Sequence, residues 1–190
     1  GLAGVPGKEI EFHHALELAI RYATALNVPR VNILAGKQPV DADLLPCLNT
    51  LAENLKLACS MLTQHHIQPV FEMINGTDMP RFLVQNIAQA QEILEAVKHP
   101  ALKMQYDCYH MAMMGEDVLS ALQENIQDIG HIQFADNPGR HEPGSGEIDY
   151  AAIFEWLQLS AYSGYVAAEY RPSLASNQSF AWKNKYFSSS

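Results

Sequence analysis

The sequence predicts an α/β fold built on a parallel sheet. Five short segments suited to β-strands alternate with amphipathic helical segments, at a spacing of roughly 30–40 residues. Within the helical segments the apolar residues recur at intervals of three and four positions, which places them on one face of a helix. No low-complexity linker divides the 190 residues, so a single domain over residues 1–190 is expected.

The element boundaries follow from these patterns and from turn residues. The predicted strands are Arg30–Ala35, Gln68–Met73, Leu102–Asp107, Gly130–Ala135 and Tyr165–Tyr170. The predicted helices are residues 8–27, Asp41–His66, Phe82–His99, Asp117–Ile129, Tyr150–Ser163 and a short segment near Phe180–Lys185, which precedes a tail of polar serines. Asp149 is the predicted N-cap of the helix that starts at Tyr150. A helix ahead of the first strand indicates a βα unit that begins upstream of Gly1.

Composition excludes several classes of protein. The net charge is −9, from 12 basic and 21 acidic residues, and no basic cluster stands out, so a nucleic-acid partner is not expected. No apolar run reaches the length of a membrane span and no signal peptide is visible, so no membrane association is expected. The three cysteines, Cys47, Cys59 and Cys108, lack a metal-binding spacing and fit a reducing, cytoplasmic compartment.

Four of the five predicted strands carry an oxygen-bearing side chain near the carboxyl end, where parallel α/β folds place their chemistry. These side chains are Glu72, Asp107, Gln133 and Glu169. Three carboxylates that converge would repel one another and lose solvation, and a divalent cation would resolve both problems. Carboxylate and amide oxygens suit Mg²⁺ or Mn²⁺ better than Zn²⁺. His110 lies three residues beyond Asp107, close enough to line the same site.

Each of these residues also has a purely structural interpretation. A strand-end carboxylate such as Glu72 or Asp107 often caps the next helix or pairs with a basic side chain. A buried glutamine usually forms hydrogen bonds with the backbone, and His110 could be a packed core residue. Arg140, on the loop after the fourth predicted strand, could likewise be an ordinary loop residue. The recurrence of the feature at the same end of four strands favours a shared site. The sequence contains no Walker loop, no GxGxxG after a strand and no serine nucleophile elbow, so nucleotide cofactors and serine chemistry lack support.

Five segments carry a family resemblance: VNILAGKQP, PVFEMIN, MQYDCYH, GHIQFADNPGRHEPGSGEIDY and GYVAAEYRP. They resemble the hydroxypyruvate isomerase family, which includes 2-oxo-tetronate isomerases and belongs to the xylose-isomerase-like TIM barrels. The resemblance runs from Val5 to about Pro172, and its last two segments are the most specific. It implies a (β/α)8 TIM barrel, which needs eight βα units in roughly 250 residues. This chain is expected to supply about the last five units, with the N-terminal three absent.

The resemblance also implies the roles of the site residues. The residues that would bind the divalent metal, Mg²⁺ or Mn²⁺, are Glu72, Asp107, Gln133 and Glu169. Glu72 and Glu169 would also be the catalytic acid/base pair, and His110 and Arg140 would contact substrate oxygens. The implied reaction is a metal-assisted aldose–ketose isomerisation of a small hydroxy-oxo acid, either hydroxypyruvate to tartronate semialdehyde or a 2-oxo-tetronate. One glutamate would remove the carbon-bound proton and the other would return a proton at the adjacent carbon of an enediolate.

Other functions on the same fold stay open from sequence alone. Gln133 disfavours a sugar epimerase, since many epimerases are expected to carry histidine there. The acidic charge and the lack of a histidine-rich zinc set disfavour an endonuclease for abasic DNA. A catalytically impaired fragment or binding protein is the third alternative. Without three βα units the outer strands would present open edges, so a homo-oligomer and weak activity of the chain alone are expected.

Overall fold

The structure, a computed structural model, describes residues 1–187. These residues form two compact units, one from Gly1–Gln105 and a second that begins at Tyr106. The strands, in the order β1-β2-β3-β4-β5, are β1 (Arg30–Asn32), β2 (Gln68–Glu72), β3 (Lys103–Asp107), β4 (Ile129–Phe134) and β5 (Val166–Ala168). The prediction of five parallel strands in consecutive order is confirmed. The single domain over residues 1–190 and the placement of these strands as the last five of eight stay predictions.

Helices separate the strands as expected for βα units. Within residues 1–187 the helices are α1 (Glu9–Ala25), α2 (Leu44–Thr63), α3 (Ile87–Val97), α4 (Cys108–Met113), α5 (Val118–Asn125), a 3₁₀ turn (Ile126–Asp128), α6 (Tyr150–Leu159) and α7 (Trp182–Phe187). None of the helices in this part of the chain is both long and apolar enough to cross a membrane. The predicted serine tail, residues 188–190, lies outside the described residues.

Several boundaries differ from the prediction for local reasons. Helix α3 begins five residues later than Phe82, because the side chain of Asn86 caps it by accepting a hydrogen bond from the backbone N–H of Gln89 at 3.0 Å. Helix α6 ends at Leu159 because the next residue, Ser160, is already extended. Helix α4 is not predicted at all, since its six residues follow β3 without an intervening loop. The predicted N-cap Asp149 is confirmed, with a hydrogen bond from the backbone N–H of Ala152 at 3.1 Å.

The core of the first unit is formed by helices packed on β2. Helix α2 contacts α1, α3 and β2. Its fully buried leucines, Leu51, Leu55 and Leu62, lie on one stripe of the helix. Strand β2 is buried from Pro69 to Glu72, as expected for a parallel strand that is covered on both faces. The side chain at the end of β2 is therefore held on a buried strand.

An aromatic cluster holds the carboxyl end of β4 in the second unit. Phe134 contacts Phe154 and Trp182 edge-to-face, each at 5.3 Å between ring centroids, and Tyr150 stacks on Phe154 at 5.3 Å. The hydroxyl of Tyr150 donates to the carbonyl oxygen of Ala135 at 2.6 Å. The first residues after β4 are thus fixed by α6 and α7 before the long loop begins.

Truncation of a buried leucine of α2 should destabilise the fold far more than truncation of an exposed one. Leu55 is 0% exposed and Leu57, on the same helix, is 36% exposed. Leu55→Ala should lower the free energy of unfolding by about 2–5 kcal/mol, because it opens a cavity in the core. Leu57→Ala, the matched control, should cost less than about 1 kcal/mol. Urea unfolding measures both changes, and equal losses would contradict the assigned faces of α2.

Candidate functional site

Glu72 ends β2 and is supported by a neighbouring strand. Its side chain is buried, with 5% of the residue exposed. Asn32, the last residue of β1, donates its side-chain N–H to Oε2 of Glu72 at 2.7 Å. The amide oxygen Oδ1 of Asn32 is buried and accepts no hydrogen bond from any residue between 1 and 187. Sequence reasoning missed Asn32, although a polar residue inside the apolar segment RVNILA is a signal that could have identified it.

Asp107 combines two environments in one carboxylate. It is 0% exposed, and its Oδ1 accepts hydrogen bonds from the backbone N–H groups of Tyr109 at 2.8 Å and His110 at 3.2 Å. That oxygen caps α4, as the structural interpretation of strand-end carboxylates anticipates. Oδ2 is also buried, yet it has no hydrogen-bond partner within the described part of the chain. Capping therefore accounts for one oxygen and leaves the other available to a ligand.

The charge of Asp107 is shaped by burial and by its neighbours. Burial raises the pKa of Asp107 from its ordinary value to about 6. The backbone N–H of His110 and the charge of Arg140 oppose that rise, whereas the charge of Glu169 adds to it. Asp107 is therefore close enough to both charged groups to respond to them, and the second unit brings these predicted site residues together.

His110 is buried on the first turn of α4, with 3% of the residue exposed. Its ring lies 5.3 Å from the ring of Tyr109, measured between centroids. Because the backbone of His110 donates to Asp107, the two predicted site residues belong to one short turn. The contact with Tyr109 agrees with a packed histidine as well as with a site residue.

Arg140 and Glu169 form an ion pair at the end of β5. The Nη2 atom of Arg140 donates to Oε2 of Glu169 at 2.9 Å, and the Arg140 guanidinium lies over the Tyr109 ring at 5.1 Å from its centroid. The Glu169 side chain is 51% exposed, against 21% for Arg140. Glu169 is thus a partly solvated salt-bridge partner, unlike the buried Glu72. An ion pair this exposed contributes less than about 1 kcal/mol to stability, so it orients the two groups more than it stabilises the fold.

Gln133 is the remaining predicted ligand. It is half-buried on β4, where it is the register partner of Ala167 on β5. A role for Gln133 in metal binding stays a prediction. Sequence reasoning also missed Asp136, a buried residue after β4 whose carboxylate accepts three hydrogen bonds from backbone N–H groups of the following loop.

Comparison with known proteins places the chain in a family. The profile described as xylose isomerase-like TIM barrel matches residues 1–186, and the chain belongs to that family. It is 39% identical to the hydroxypyruvate isomerase of Escherichia coli and 36% identical to the 2-oxo-tetronate isomerase of Cupriavidus necator, in each case over 98% of this chain and 72% of the relative. A crystal structure described as AP endonuclease, family 2 from Brucella melitensis superposes with a TM-score of 0.93 at 30% identity, covering 98% of this chain and 72% of that chain. The named relatives support an isomerase on this fold.

The desolvated charge of Asp107 predicts a pH-dependent stability. Because the folded-state pKa of Asp107 is raised to about 6, the folded chain binds this proton more tightly than the unfolded chain does. Stability contributed by the protonated form is therefore lost as the pH rises through the interval from about 4 to about 6. Asp107→Asn keeps the oxygen that caps α4 and removes the charge. At about pH 7.5 in a chelating buffer, this variant should be more stable than the wild type by on the order of 1–3 kcal/mol.

Urea unfolding of both proteins at about pH 3.5 and about pH 7.5 measures the difference. The stability difference should shrink to near zero at the lower pH, where both proteins carry a neutral side chain at this position. A difference of the same size at both pH values would show that the buried charge is not its cause.

Proposed function

We propose that the chain carries the active site of an isomerase for a small hydroxy-oxo acid, converting hydroxypyruvate to tartronate semialdehyde or acting on a 2-oxo-tetronate. The observation that carries the proposal is the carboxylate of Asp107, which is buried at a strand end with one oxygen unpartnered among residues 1–187. Burial of an unsatisfied carboxylate oxygen is costly, and a ligand that it binds offsets that cost. The names of the two isomerase relatives supply the substrate class.

The carboxylate and amide oxygens at the strand ends suit a divalent cation. Glu72 is the register partner of Gln105 on β3, and Asp107 follows Gln105 by two positions on the same strand. Because side chains two apart on a strand share a face, Glu72 and Asp107 are proposed to face the same side at the carboxyl ends of β2 and β3. Gln133 and Glu169 are the other proposed ligands. The imidazole of His110, buried on the helix that Asp107 caps, is an alternative donor.

The oxygen donors favour Mg²⁺ or Mn²⁺. When bound, such an ion supplies positive charge that stabilises the negative charge of an enediolate. Glu72 and Glu169 are the proposed acid/base pair, one removing the carbon-bound proton and the other protonating the adjacent carbon. Asn32 and Arg140 orient these two carboxylates through their hydrogen bonds to Oε2 of each.

Arg140 has a second proposed task. A guanidinium carries five N–H donors, and the hydrogen bond to Glu169 uses one of them. The remaining donors suit the carboxylate of a hydroxy-oxo acid, which a guanidinium can bind in bidentate fashion. His110 is proposed to contact another substrate oxygen. The proposal also keeps the five βα units as the last five of a (β/α)8 barrel, and association with a second copy of the chain stays a prediction.

Neutralising either glutamate should remove most of the activity. Glu72→Gln and Glu169→Gln should each lower turnover of hydroxypyruvate by at least ~10²-fold, because an amide cannot exchange a proton at carbon. Glu155→Gln, which changes an exposed carboxylate on α6, is the matched control and should keep wild-type turnover. Unchanged turnover in either of the first two variants would remove that residue from the mechanism. Parallel assays on a 2-oxo-tetronate and a ketohexose separate the isomerase from an epimerase.

Metal binding can be tested without turnover. Titration of Mn²⁺ into the wild-type chain, followed by electron paramagnetic resonance of the free ion, should reveal a bound ion that Mg²⁺ displaces. Asp107→Ala should abolish this binding, because it removes the unpartnered oxygen together with the rest of the carboxylate. Glu155→Gln should bind Mn²⁺ as the wild type does. Equal binding by wild type and Asp107→Ala would refute the metal site at this position.

A further inference from the structure

Like Asp107, Asp136 is a fully buried carboxylate in the unit that begins at Tyr106. Neither the proposed metal site nor the proposed proton transfer uses it. It is 0% exposed and lies two residues beyond the end of β4. Its Oδ1 accepts hydrogen bonds from the backbone N–H groups of Asn137 at 2.9 Å and Ile148 at 3.1 Å, and its Oδ2 accepts one from Gly144 at 2.7 Å. One carboxylate thus binds both ends and the middle of the loop formed by residues 137–148.

The backbone closes around the same carboxylate. The N–H of Asp136 donates to the carbonyl oxygen of His141 at 2.8 Å, and the N–H of Glu147 donates to that of Asn137 at 2.8 Å. Gly146 passes so close that an added Cβ would lie 2.6 Å from Oδ1 of Asp136. The same Cβ would also collide with the backbone carbonyl of Asn137, so a side chain at Gly146 would force both the carboxylate and the loop backbone to shift.

Arg140 is held by this loop in a conformation that few residues adopt. Its φ is 57°, in the left-handed region, which costs on the order of 1–3 kcal/mol for a residue other than glycine. Two backbone hydrogen bonds fix it there. The N–H of Arg140 donates to the carbonyl oxygen of Asp136 at 2.9 Å, and the N–H of Arg171 donates to the carbonyl oxygen of Arg140 at 2.7 Å.

The loop is also tied to the segment that follows β5. A ring nitrogen of His141, Nδ1, is hydrogen-bonded to the carbonyl oxygen of Arg171 at 2.7 Å. The carboxylate of Glu142 accepts a hydrogen bond from the backbone N–H of Ser173 at 3.0 Å and another from its hydroxyl. Glu169, at the start of that segment, then receives the hydrogen bond from the Arg140 side chain. The loop of residues 137–148 and the segment after β5 are therefore joined by several hydrogen bonds.

The geometry points to Asp136 as a positioning residue that holds the loop of residues 137–148 so that Arg140 orients Glu169. The Asp136 carboxylate acts on Arg140 through the loop backbone, which it holds at Asn137, Gly144 and Ile148. The N–H of Arg140 donates to the backbone carbonyl of Asp136, and the Arg140 side chain donates to Glu169. The consequence of this connection for turnover rests on the proposed function, because only there is Glu169 one of the proton-transferring glutamates.

The first experiment is structural and needs no activity. Asp136→Asn keeps the shape of the side chain but replaces one acceptor oxygen with an N–H₂ group that faces a backbone N–H. Amide hydrogen exchange at Asn137, Gly144 and Ile148 should accelerate by about 10-fold or more, the effect of losing a buried hydrogen bond. The side-chain N–H signals of Arg140 in ¹⁵N-resolved spectra should shift in the same direction as they do in Glu169→Gln.

The matched control is Asp149→Asn. Asp149 also accepts a hydrogen bond from a backbone N–H, at the start of α6, but it has no hydrogen bond to the loop. The Asp149→Asn variant should leave the Arg140 signals at their wild-type positions. Unchanged Arg140 signals in Asp136→Asn would overturn the proposal, because Asp136 would then only stabilise a turn. If Asp136→Asn does not fold, Gly146→Ala serves instead, since it keeps the carboxylate and forces it and the adjacent loop backbone to shift. The same shift of the Arg140 signals is then required.

The second experiment is a double-mutant cycle on turnover with hydroxypyruvate. Asp136→Asn should lower kcat by about 10-fold in the wild-type background, and by less than about 2-fold in the Arg140→Gln background, because its effect passes through Arg140. Equal losses in both backgrounds would overturn the proposal. A wild-type chain that shows no turnover while the Arg140 signals still respond to Asp136→Asn would count against the proposed function alone and would support the positioning role.

Discussion

A carboxylate that is buried on folding is stable only if hydrogen-bond donors or a counter-ion replace its hydration. The candidate site depends on the fact that Asp107 has such donors for only one of its two oxygens. Its position is dictated by topology, since β3 passes directly into α4 and Asp107 belongs to both elements. The helix needs a cap and takes one oxygen. The strand is buried, so the other oxygen cannot reach solvent. The folded chain therefore retains an electrostatic cost at a strand end, and the pKa of Asp107 rises to about 6 as a result.

The two proposed proton-transfer groups are held in unlike ways. Glu72 is buried and receives its hydrogen bond from a neutral amide on the adjacent strand. Glu169 is partly solvated and receives its hydrogen bond from a guanidinium on a loop. An isomerisation asks one group to take a proton and the other to give one, and different environments allow two carboxylates to divide these tasks. The rigid strand fixes the first partner, whereas the second depends on how well the loop is held.

Periodicity was enough to predict the strands and their order, because five apolar segments separated by amphipathic helices leave few alternatives for a parallel sheet. It was not enough for α4, whose six residues are too few to show a helical period. The grouping of Asp107 with Glu169 could be anticipated, since strand ends meet at one edge of a sheet, whereas Arg140, on a loop, was implicated only by the family resemblance. Asn32 stood out only as a polar residue in an apolar segment, and its partner could not be predicted, because a hydrogen bond to a residue forty positions away leaves no local pattern.

Asp136 shows most clearly what a local sequence pattern cannot predict. The letters Asp-Asn-Pro-Gly predict a turn, and a turn is present. Whether a buried carboxylate in a turn is structural or open to a ligand is decided by its hydrogen bonds. Asp136 and Asp107 are the same residue type with the same burial, 0% exposed, in the same unit. Both oxygens of Asp136 accept from backbone N–H groups, so its charge is compensated within the chain. Only one oxygen of Asp107 accepts such hydrogen bonds, and that difference distinguishes a carboxylate that is fully used within the chain from one that has an oxygen left for the proposed ligand.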